Sequence, residues 1–123
     1  MILSLIKINP HPRTRREIME ILRNAEFLTR TKTGCLGSAV YVQKFEEEVI
    51  LYLEQWQSRE DFERHIKSPL YNRLLAAMDL SIAPPEVSFQ EGTDLGGLEV
   101  IEAIRNQKAK NNQVMKRQIA GTS

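Results

Sequence analysis

Two segments, Ile2–Ile8 and Glu48–Trp56, are apolar on both sides of the strands they form by alternation, and this constrains the fold more than any other feature of the chain. In the first segment Ile2, Ser4, Ile6 and Ile8 share one face, while Leu3, Leu5, Lys7 and Asn9 share the other. In the second, Ile50, Tyr52, Glu54 and Trp56 oppose Val49, Leu51 and Leu53. A sheet built on such strands needs cover on both faces.

Only part of that cover is available within the chain. Pro10 and Pro12 end the first strand, and Thr14-Arg-Arg-Glu17 has the spacing of a capping box that starts a helix over about Arg15–Thr29. Ile18, Ile21, Leu22, Ala25 and Leu28 make its core-facing stripe. Gly34 closes the following loop, and Cys35–Gln43 reads as a second strand with Leu36, Val40 and Val42 on one face and Ala39 and Tyr41 on the other. Lys44–Glu47 is a polar turn before the third strand. Ser58 then caps a second helix, with Asp61 at its positive end and Phe62, His65 and Ile66 facing inward. Ser68-Pro69 bends this helix and restarts it with Leu70, Leu74 and Met78 in line. Ala83-Pro84-Pro85 stops the helix, and Val87 and Phe89 alternate with polar neighbours in a fourth strand.

Strand, helix, strand, strand, helix, strand is the order of a ferredoxin-like βαββαβ sandwich, an α+β fold in which two helices cover one face of the sheet. The other face is then expected to meet the same face of a second subunit, giving a homodimer and a dimeric α+β barrel. The expected organisation is a domain over 1–92, an extension over 93–107 and a polar basic tail over 108–123. Leu98, Ile101 and Ile104 predict a short amphipathic helix over Gly97–Asn106.

Composition narrows the function. A formal charge of +1 gives no overall field toward nucleic acid or an anionic membrane. The tail after Arg105 is basic but has no interleaved aromatic residue, so a solvated tail is preferred over a nucleic-acid arm. Cys35 is the only cysteine, which excludes an internal disulfide and a Cys-based zinc site and fits a reducing, cytoplasmic location. The apolar Met1–Ile8 is too short for a signal-peptide core, and no run approaches membrane-spanning length. No repeat or glycine-rich phosphate loop is visible.

Thr33-Gly34-Cys35-Leu36 before the second strand, Glu54-Gln55-Trp56 on the third, then His65 and Ser68-Pro69-Leu70-Tyr71, resemble the antibiotic biosynthesis monooxygenase family in this order of elements. The resemblance covers about Ile2–Glu91. It implies a small dimeric α+β barrel that oxidises a quinol or polyphenolic aromatic with dioxygen, without metal or flavin. Other members of the family degrade haem, isomerise small signalling molecules or have no established activity. A non-catalytic small-molecule binding module and a cofactor-free isomerase are therefore the alternatives.

Such an oxygenase needs a base, donors for an oxyanion and an apolar wall. His65 is the candidate base, since imidazole titrates near neutral pH and its helix position faces the sheet, although a lone His on an apolar face is often a hydrogen-bonded core residue. Tyr52, Glu54, Trp56, Tyr71 and Asn9 are candidate substrate-binding residues. Trp56 and Tyr71 can stack on a planar ring or simply pack. Glu54, a carboxylate between two aromatics, needs a partner and can take a substrate hydroxyl, His65 or an Arg across the dimer. Asn9 can donate to a substrate carbonyl or cap the turn before Pro10. Arg13, Arg15 and Arg16 form an anion site or a solvated face; Cys35 packs inertly and His11 sits in a loop. The haem-degrading branch needs a haem-ligating His where this chain has Leu74 and Leu75, which disfavours that activity.

Overall fold

The computed structural model describes residues 1–44 and 48–107, and the chain divides into two compact units, Met1–Gly92 and Thr93–Ser123. The first contains β1 (Ile2–Ile8), α1 (Arg15–Arg30), β2 (Cys35–Gln43), β3 (Val49–Trp56), α2 (Arg59–Ile66), α3 (Pro69–Asp79) and β4 (Glu86–Glu91). The strands lie in the order β2-β3-β1-β4 and every neighbouring pair is antiparallel. This is the expected ferredoxin-like α+β fold, with its second helix in two pieces.

The register fixes which side chains meet the helices. Ile2 faces Trp56, Ser4 faces Glu54 and Ile6 faces Tyr52 across β1 and β3, and all six are buried. Ile18, Leu22 and Ala25 of α1 and Leu74, Ala77 and Met78 of α3 share one core cluster with Ile6 and Tyr52, and Phe62 of α2 makes a second with Ile2 and Trp56. Each large apolar side chain so buried contributes about 1.5–3 kcal/mol. Between these rows Leu3 and Leu5 of β1 and Leu51 and Leu53 of β3 turn to the other side of the sheet, which no helix of this unit covers.

Local chemistry explains the boundaries. The Ser58 hydroxyl accepts from the Asp61 amide at 3.2 Å and caps α2. Pro69 occupies the start of α3, where its missing N–H costs nothing. Thr14 differs from expectation: its side chain makes no cap bond, because His11 carbonyl already accepts from the Thr14 amide, the Arg15 amide and the Thr14 hydroxyl in a tight turn. Leu36 differs too. A β-bulge between Cys35 and Gly37 leaves it without a partner on β3, so it is exposed, while Cys35 packs inward beside Trp56.

Arg15 pairs with Glu48 and Arg16 with Glu20, so two of the three clustered arginines are already partnered. All of β4 is exposed, although Phe89 meets Phe62 edge-on at 5.0 Å. In the second unit residues 98–107 are helical, with Leu98, Ile101 and Ile104 exposed. The polar turn at 45–47 and the basic tail at 108–123 lie outside the described residues.

Candidate functional site

The helix-covered face carries a buried polar group between its two apolar clusters. Glu54 lies on the inner side of β3 and is flanked across the sheet by Ser4 on β1 and Ser38 on β2, two small residues that leave room above it. His65 comes down from the last turn of α2, and its Nε2 lies 2.9 Å from Glu54 Oε2. Trp56 Nε1 donates to the other carboxylate oxygen at 3.1 Å. An indole nitrogen can only donate, and a carboxylate can only accept, so the network assigns the Nε2–H tautomer to a neutral His65. Its Nδ1 is then a lone-pair acceptor, and this atom is buried with no hydrogen-bond partner.

Aromatic rings enclose the imidazole. Trp56 lies 4.6 Å from it between ring centroids and tilted, and Tyr71 meets it edge-on at 5.4 Å. Burial, reinforced by the nearby Glu54 carboxylate, pushes the Tyr71 hydroxyl up to about 12. The Tyr52 hydroxyl lies 2.8 Å from Ser38 Oγ and donates to Thr29 Oγ1 at 3.3 Å. Burial first, and the Glu54 charge second, raise it still further. Both phenols therefore stay neutral donors at ordinary pH.

Against His65 lies a cleft of about 310 Å³ lined by the loop Thr31–Thr33, Trp56, Asp61, Arg64, His65 and Ser68, while Glu54 stays buried and out of its lining. Gly34 shapes its rim. Its φ is +83°, and a Cβ there would run into the Asp61 side chain, so the loop can press against the start of α2 only with glycine. Cys35 stands behind this loop with its thiol pushed up, by burial foremost. Among the described residues no three His, Cys, Asp or Glu side chains gather as a metal site.

Tyr52, Glu54, Trp56, His65 and Tyr71 are thus brought together, and Glu54 has His65 and Trp56 as partners within its own chain. Asn9 is not among them. It lies five residues along β1 from Ser4, about 16 Å away at the rise of a strand, and its backbone is tied to Ser81. Thr29, Ser4, Ser38, Thr31 and Lys32 are site residues that the sequence does not single out. Ser4 and Ser38 leave a signal, as polar interruptions of otherwise inward-facing apolar positions, and of the cleft loop only Thr33 is marked, by the motif Thr33-Gly34-Cys35-Leu36.

Fold and site define a small α+β sandwich with a buried carboxylate–imidazole pair at the wall of a cleft. The family model for antibiotic biosynthesis monooxygenase matches residues 1–77, and the chain belongs to that family. Solved structures share the fold. A Deinococcus radiodurans protein named for the antibiotic biosynthesis monooxygenases superposes with a TM-score of 0.71 at 17% identity, covering 80% of this chain and 98% of its own. Rv0793 from Mycobacterium tuberculosis gives 0.68 at 24% identity over 78% of this chain and 98% of its own. A conserved protein from Methanosarcina mazei gives 0.68 at 19% identity over 75% and 92%. No curated protein matches the sequence significantly. No helix among the described residues is long and apolar enough to cross a membrane.

Proposed function

We propose that this chain is a cofactor-independent monooxygenase that deprotonates a quinol or related phenol with His65 and lets the resulting anion react with dioxygen. The observation that carries the reading is the unpartnered, buried Nδ1 of an imidazole whose other nitrogen is held by Glu54. A base so oriented keeps one tautomer and one ring position, and the carboxylate stabilises the imidazolium formed when the proton arrives. Trp56 supplies an apolar wall of the cleft and Tyr71 packs edge-on against the imidazole, and exclusion of water favours electron transfer from the phenolate to oxygen. Carbon oxygenation then gives a hydroperoxide that loses water to leave a carbonyl. Asn9, so far from the pair, has no part in this scheme.

The same reading includes a homodimer. The side of the sheet formed by Leu3, Leu5, Leu51 and Leu53, with Ala39 and Tyr41 of β2 beside them, is the surface that a second copy would cover.

Oxygen uptake across a panel of quinols and anthrones, with His65→Ala alongside, tests the activity. Saturable uptake above autoxidation that falls at least a hundredfold in the variant is expected for loss of a general base. Undiminished uptake in a folded variant removes His65 from the mechanism. Turnover of a substrate without oxygen would move the site to proton transfer alone, which the same pair can perform.

A further inference from the structure

The charges around the cleft are unequal in their commitments. Arg64 is bound to Asp61 at 3.0 Å and reaches Glu60 at 3.4 Å. Asp61 is further held by the Ser58 hydroxyl at 2.7 Å. Thr31 and Ser68 donate their hydroxyls to the carbonyls of Leu28 and His65. Lys32 remains: it lines the cleft, is half-buried, and makes no ion pair among the described residues. The cleft thus has one uncommitted cation, Lys32, on its loop side and, in its wall, the imidazole of His65, whose Nδ1 is buried and has no hydrogen-bond partner.

Resting on the reading of this cleft as the substrate site, we infer that the substrate is a one- or two-ring phenol bearing a carboxylate, with its hydroxyl toward His65 and its carboxylate toward Lys32. Size supports the ring count, since a cavity of about 150 Å³ holds one benzene ring and this cleft is about twice that. Orientation follows from charge. Glu54 lies directly behind His65, so a carboxylate entering first would meet a like charge, whereas a phenol entering first meets a proton acceptor. After proton transfer the sequence carboxylate, imidazolium, phenolate alternates in sign. Lys32 then holds the second negative charge of the substrate away from that chain.

The test is anaerobic isothermal titration of the full chain with 2,5-dihydroxybenzoate and with its methyl ester, in wild type, Lys32→Ala and Lys32→Arg. The acid is expected to bind about tenfold more tightly than the ester in wild type, the advantage of a charge-assisted hydrogen bond. Lys32→Ala should remove that advantage, Lys32→Arg should restore most of it, and raising salt should weaken the acid alone. Equal affinities for acid and ester, an acid affinity indifferent to Lys32, or no heat with either compound overturns the inference. Oxygen uptake, measured separately, distinguishes the two claims. Lys32-dependent binding without uptake removes the oxygenase and keeps the anion site, while uptake with neutral quinols that ignores Lys32 does the reverse.

Discussion

Glu54 and His65 face each other at 2.9 Å with side chains that are each only 1% exposed. A buried carboxylate with no partner is costly, and here both of its oxygens are taken, one by the imidazole and one by the Trp56 indole. Truncation by Glu54→Ala leaves two buried donors without acceptors, at about 1–3 kcal/mol each, so a loss of about 2–6 kcal/mol is expected in urea unfolding. Glu54→Gln keeps one amide oxygen to accept and should lose roughly half as much. A Glu54→Ala protein within 1 kcal/mol of wild type would show that the pair is not formed in solution.

How much of this was legible follows from what kind of constraint each residue obeys. The alternation of Ile2–Ile8 and Val49–Trp56 names the inner face directly, because the side-chain period of a strand is 2, and Glu54 and His65 were both placed inward by it or by helical spacing. Their meeting goes with the break at Lys67–Ser68, where α2 ends and α3 begins, and with His65 lying over Glu54 and Trp56 at the end of β3. Leu36 was misplaced because a bulge adds a residue without changing composition. Asn9 is legible only as a polar donor at the end of the first strand, and it is the antiparallel register that shows it lies away from Ser4 and Glu54. Lys32 was illegible because nothing local distinguishes a loop lysine that lines a cleft from one that does not.

Gly34 joins the loop after α1 to the start of α2 through its contact with Asp61. Alanine at this position must adopt φ +83° and displace the Asp61 side chain. The left-handed backbone alone costs about 1–2 kcal/mol, and the collision adds to it. Gly34→Ala should therefore lower the thermal midpoint clearly, and Gly37→Ala, where a Cβ meets only the far end of the Gln55 side chain, should lower it less. Equal effects at the two positions would contradict the close approach of Gly34 and Asp61.

Tyr71 gives stability a dependence on alkaline pH. Its hydroxyl is raised from an ordinary value of 10 to about 12 in the folded protein, by burial first and by Glu54 second. The folded state therefore keeps a proton that the unfolded chain loses. Its contribution is complete below pH 10 and is lost as pH climbs through the interval to 12, at no more than about 1.4 kcal/mol per pH unit. Urea midpoints at pH 9, 10 and 11 should fall more steeply for wild type than for Tyr71→Phe. Parallel slopes would mean that Tyr71 is solvated in solution.

Leu5 and Leu53 are direct partners across β1 and β3, and Leu3 and Leu51 flank them on the side of the sheet that no helix of the unit covers. Two leucine rows on a central strand pair would expose an apolar patch in a monomer, and pairing with the same face of a second copy removes it from water on both chains at once. Light scattering should then give about 28 kDa, twice the 14.2 kDa of the chain, at micromolar concentration. An aspartate at Leu53 faces its own symmetry mate's apolar surface in a dimer but only solvent in a monomer. Leu53→Asp should therefore dissociate the dimer by several kcal/mol while leaving the helix-covered core, and the far-ultraviolet spectrum, intact. The charge is invisible to the opposite face, since side chains alternate, so His65 and Glu54 keep their hydrogen bond in the monomeric variant unless the site itself borrows support from the second subunit. A wild-type mass of one chain, or a Leu53→Asp protein that remains a dimer, would place the subunit contact elsewhere.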